Sequence, residues 1–153
     1  MHASEDRPSA EFTGTAYDID YSPNRTQVLI KNANATHDPK NLTGFITSDL
    51  LQNVLQASLI AARIVRVTHF DGNIIRAVLV PTPTICSDDG CITEVDCTAT
   101  ECTAVIVGEP GRLNIKDQRT LGVFLTAIND DRRVQNLSVD QSRNIIQVKV
   151  NVP

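Results

Sequence analysis

The chain has 153 residues, 41% of them hydrophobic, and a formal net charge of -4 from 14 basic and 18 acidic residues. That length suits one compact domain burying roughly 70% of the surface its unfolded chain exposes. There is no run of five like charges and no apolar stretch near the ~18 residues a membrane span needs, so neither a nucleic-acid partner nor a membrane span is expected.

Trp is absent, aromatic residues make up 4% and there is one Met, so the core must come from Val, Ile, Leu and Ala, a composition that favours strands. Residues 1–10 are polar, are interrupted by Pro8 and lack the apolar stretch of a signal peptide. They read as a disordered tail or an expression remnant, with a single extracellular globular domain over 11–153. Ala10–Asp20 and Thr26–Asn32 are rich in β-formers and read as strands. The turn-forming stretch that follows, with His37-Asp38-Pro39, reads as an exposed loop.

The spacing predicts one amphipathic helix from Ser48 to Ala62. Thr47 or Ser48 can cap its first turn, Asp49 suits the positive end of the helix dipole, and Leu50, Leu51, Val54, Leu55, Ala57, Ala61 and Ala62 share a face. Arg63–Phe70 and Asn73–Val80 flank Asp71-Gly72, the signature of a type I′ hairpin, and Pro81 and Pro83 end the second run. Three further runs read as strands: Thr103–Val107, Leu121–Ile128 and Ile145–Val152, the last alternating strictly. No internal repeat is visible. The expected fold is α+β: a β-rich single domain with one amphipathic helix and a disulfide-stabilised loop. In element order, the strand, helix and hairpin of Thr26–Val80 make half a ferredoxin-like unit, and in that respect the segment resembles the SEA domains and the membrane-adjacent domains of long cadherins.

All four cysteines, Cys86, Cys91, Cys97 and Cys102, fall in one acidic segment, TICSDDGCITEVDCTATEC. Clustering in an even number points to disulfides. Nested pairing, Cys86 with Cys102 and Cys91 with Cys97, follows the symmetric spacing and is preferred, although it needs a bulge or an irregular arm. Adjacent pairing, Cys86 with Cys91 and Cys97 with Cys102, is also sterically allowed. A four-thiolate zinc site is the competing chemistry, weakened by Asp88, Asp89, Glu94, Asp96 and Glu101 and by the lack of a basic residue in the segment.

Four N-x-[ST] sequons, at Asn24, Asn34, Asn41 and Asn136, exceed the one or two that eleven asparagines would give by chance, and make glycosylation an expectation. No nucleophile elbow, phosphate loop, zinc-protease motif or dinucleotide fingerprint is present, so no catalytic residue, metal ligand or cofactor is assigned. His37 reads as a solvent-exposed turn residue and His69 as a structural one at a hairpin end. The paired acids Asp18 with Asp20, Asp88 with Asp89, and Asp130 with Asp131, and also Asp71, are the residues a calcium site would draw on.

The expected function is that of a noncatalytic extracellular or cell-surface module for adhesion, receptor architecture or extracellular assembly, with a protein partner or a second copy. The alternative is a self-contained secreted ligand-binding or toxin-like protein. Glycans would shield the sequon side, leaving the acidic cysteine segment, with Glu94, Asp96 and Glu101, as the expected partner-binding surface.

Overall fold

The computed structural model describes residues 9–81 and 88–150. The first eight residues, the segment 82–87 with Pro83 and Cys86, and the last three residues with Val152 lie outside the described residues. The elements, in order, are strands β1 (Ala10–Asp20), β2 (Thr26–Asn32) and β3 (Asn41–Ile46), helix α1 (Asp49–Ala61), strands β4 (Val65–Phe70), β5 (Asn73–Leu79), β6 (Ile92–Thr98), β7 (Cys102–Ile106) and β8 (Leu113–Ile115), helix α2 (Gln118–Asn129), and strands β9 (Val134–Val139) and β10 (Ile145–Val150).

The α+β, β-rich expectation holds. Alternation puts Val28 and Ile30 of β2 inside while Gln27 and Leu29 stay half-buried. Ser48 caps α1 by accepting from the Leu51 N–H, and Leu51, Val54, Leu55, Ala57 and Ser58 face inward. Asp71 and Gly72 both adopt positive φ, as the I′ turn requires.

β3, β2, β1, β4 and β5 are consecutive antiparallel neighbours, and the sheet curls until β3 meets β5 in parallel at Phe45 and Asn73. The result is a five-stranded mixed barrel, with α1 carrying the chain from β3 to β4. β1 serves two neighbours. Ala10–Gly14 pairs with β4 and Gly14–Asp20 with β2, so the strand must bend at Gly14. A methyl group there would lie 1.9 Å from the Lys31 carbonyl oxygen, which is why the position is glycine.

Several sequence expectations change. Leu121–Ile128 is helical: Asp117 caps α2 by accepting from the Thr120 N–H, and Leu121, Phe124, Leu125 and Ile128 recur at helical spacing toward the core. The domain therefore has two helices. Asn41 and Asn136 lie in strands β3 and β9, and Ile92–Thr98 of the acidic cysteine segment is strand β6. The ferredoxin-like half-unit is also replaced, because its strands close a barrel.

The order of elements repeats. β1-β2-β3-α1-β4-β5 is followed by β6-β7-β8-α2-β9-β10, and the equivalence extends to single residues. The β1–β2 register slips between Ala16 and Asp18 opposite Ile30 and Leu29, and the β6–β7 register slips between Ile92 and Glu94 opposite Ile106 and Val105. Gly14 pairs with Val65, while Gly90 accepts a 2.8 Å hydrogen bond from the Val134 N–H. In the helices, buried Leu51, Val54, Leu55, Ala57 and Ser58 correspond to buried Leu121, Phe124, Leu125, Ala127 and Ile128. The parallel contact recurs as well: Phe45 with Asn73 in the first half, Asn114 with Asn144 in the second. Asn73 and Asn144 open the related segments Asn-Ile-Ile-Arg-Ala-Val-Leu and Asn-Ile-Ile-Gln-Val-Lys-Val. An internal repeat is thus present in the structure, although none is visible in the sequence. The two halves join where β5 pairs with β6, and one hydrophobic cluster runs through both.

Candidate functional site

The β5–β6 junction gathers the chemistry of the acidic segment. Cys97 and Cys102 stand directly opposite each other in the β6–β7 hairpin and are joined by a disulfide, with Cα atoms 4.1 Å apart. The Thr98 N–H donates to the Glu101 carbonyl across the turn, so the cysteines occupy the adjacent pair, where side chains approach most closely. Both are buried. This overturns the nested pairing. Cys91 is also disulfide-bonded, its partner lying outside the described residues, as does the expectation for Cys86.

Glu94, Asp96 and Glu101 do not form a free acidic surface. Strand alternation puts Asp96 on the same sheet face as Arg76 of β5, its diagonal neighbour, whose Nε donates to Oδ1 at 2.9 Å and whose second guanidinium nitrogen reaches Oδ2. Arg112, leading into β8, donates to Glu94 at 2.6 Å and lies 3.6 Å from Asp96. Hydrogen bonding to Asp96, then its charge, holds the Arg76 guanidinium above its ordinary pKa. The network ties β5, β6 and the β7–β8 connection together. Glu101 stands apart at the exposed hairpin turn, its N–H held by the Thr98 hydroxyl. The arginines that satisfy these acids come from outside the cysteine segment, so the segment's own composition could not reveal the pairing.

The four sequon asparagines, Asn24, Asn34, Asn41 and Asn136, are all exposed. Asn34 accepts hydrogen bonds from the N–H and hydroxyl of Thr36. His37 is exposed and His69 is half-buried in β4. The turn acids find arginines: Asp88 with Arg133 at 2.9 Å, Asp131 with Arg63 at 3.0 Å, and Asp130 with Arg132 at 3.6 Å. Among the described residues no three His, Cys, Asp or Glu side chains converge as a metal site, and no helix is long and apolar enough to cross a membrane. A recess of about 410 Å³ opens between Asp89-Gly90, Val107-Gly108-Glu109 and β9.

The geometry defines a β-rich, disulfide-bonded domain of two repeated halves. The closed half is a five-stranded mixed barrel, and topology alone assigns it no ligand. Comparison with family models, curated proteins and solved structures found no match to this chain.

Proposed function

We propose that the chain is a noncatalytic extracellular module acting in adhesion, receptor architecture or extracellular assembly, through protein contacts. The observation that carries this reading is the disulfide chemistry. Cys97 and Cys102 are cross-linked inside the core, Cys91 is bonded too, and none of the described cysteines is free. Such bonds persist where the environment is oxidising. Exposure of all four sequons supports the same route. The joining of two halves by strand pairing favours assembly within this class, because the chain already uses a sheet edge as its means of attachment.

The test uses cells expressing the parent protein. Under a membrane-impermeant biotin reagent the protein should be labelled on intact cells or recovered from the medium, with its cysteines resistant to alkylation until reduced. Recovery only from the lysate, with thiols open to alkylation, would refute the extracellular reading.

A further inference from the structure

The internal junction shows what one half does with the outer edge of its last strand. Along β5, Ala77, Val78 and Leu79 are buried where β6 lies beside them, with Ala77 opposite Cys97, Val78 opposite Asp96 and Leu79 opposite Val95. The repeat makes β10 the equivalent of β5, so the corresponding residues are Val148, Lys149 and Val150. Among the described residues β8 reaches that side only at Asn144, and no strand pairs with these three, which are half-buried, exposed and half-buried. The helix face beside it is open as well. Val123 of α2 is 37% exposed and lines a groove with Gly122, Thr126 and Val150.

The complementary edge lies on β1. By the shared bulge, Ile19 and Asp20 at the end of β1, and Tyr21 just beyond it, stand where β6 has Val95, Asp96 and Cys97. β4 leaves β1 at Gly14, so beyond that residue, among the described residues, β1 has a strand only on its β2 side. Ile19 is half-buried, Asp20 exposed and Tyr21 52% exposed.

We propose that β10 of one copy pairs with β1 of a second, repeating between copies the junction that β5 and β6 make within one. The internal register places Val150 opposite Ile19, Lys149 opposite Asp20 and Val148 opposite Tyr21. Lys149 and Asp20 form an opposite-charge pair directly across the strands, whereas inside the chain Asp96 faces Val78 and takes its charge partner Arg76 from the diagonal position. Ile19 and Tyr21 fall on the side of Val150 and Val148, over the groove at Val123. The two surfaces differ, so the contact is head-to-tail and grows into rings or filaments. The inference rests on the assembly reading, but sedimentation and cell-surface labelling fail independently.

Sedimentation velocity over a concentration series of the full chain tests it. The wild-type average mass should rise with concentration beyond two copies. Lys149→Glu and Asp20→Lys put like charges across the contact, and each should move the association midpoint upward by roughly tenfold. Both positions are exposed, so the variants should melt like the wild type. An equimolar mixture of the two restores opposite charges at each contact and should recover association. A wild-type mass that stays monomeric up to about 1 mM, single variants that associate as the wild type does, or a mixture that fails to recover would each overturn the proposal.

Discussion

Val54→Asp should destabilise the domain by about 4–5 kcal/mol, a large part of the 5–15 kcal/mol that holds an ordinary domain folded. Val54 is fully buried on α1 within the shared cluster, next to fully buried Leu55. A carboxylate there has no partner and must be buried charged or protonated at a cost, while the cavity left by the lost methyl groups adds to it. The melting temperature should fall by roughly 10–20 °C. Gln52→Ala makes the comparison informative. From its helical position this change looks nearly neutral, but Gln52 accepts a 3.0 Å hydrogen bond from the hydroxyl of Thr26, a residue only 4% exposed. Losing the acceptor should cost about 1 kcal/mol, or roughly 2–4 °C. Thermal denaturation that ranked the two variants equal would show that the buried face of α1 is misassigned.

Gly14→Ala should be comparably severe, for a backbone reason. The added methyl would stand 1.9 Å from the Lys31 carbonyl oxygen, an atom held in the β1–β2 ladder and unable to retreat as a flexible side chain could. Either β1 straightens and loses a neighbour, or the ladder opens, at a cost of about 3 kcal/mol or more. The equivalent position in the second half, Gly90, combines a φ of +87° with an added methyl 2.4 Å from the Val134 carbonyl oxygen, and its alanine variant should be similarly damaged. Gly122 of α2 is the control. Nothing lies within 4 Å of its added methyl, and Gly122→Ala should stabilise by up to ~1 kcal/mol through helix propensity. Chemical denaturation in which Gly14→Ala matched Gly122→Ala would contradict the bend assigned to β1.

Elements whose signal is local were legible in the sequence. Thr26–Asn32 is the β2 strand as read, Ser48 is the α1 cap, and Asp71-Gly72 is the hairpin turn, because periodicity, capping and turn chemistry depend on neighbours a few residues away. α2 resembles a strand in composition because Val123, Phe124 and Ile128 favour strands, although the Asp117 cap and the spacing of Leu121, Phe124, Leu125 and Ile128 both mark a helix. β6 was hidden by its acids, which are neutralised by Arg76 and Arg112 from other strands. The repeat escaped because the spacing between equivalent residues changes along the chain. The β7–β8 connection is shorter than the β2–β3 loop, and few side chains are shared outside the Asn73 and Asn144 segments. Of the candidate site, the residue types were visible and their partners were not, since pairing across strands depends on register.

Cys97 lies opposite Cys102 only if β6 and β7 pair as described, so a non-reducing peptide map tests the fold and the disulfide chemistry together. Cleavage after glutamate separates the two cysteines into Val95–Glu101 and a longer peptide that begins at Cys102, because Glu109 is followed by Pro110 and its bond is not cut. These peptides should run as one cross-linked species that splits on reduction. Val95–Glu101 joined instead to the peptide carrying Cys91, or both peptides recovered alkylated without reduction, would contradict the hairpin on which the junction of the two halves is built.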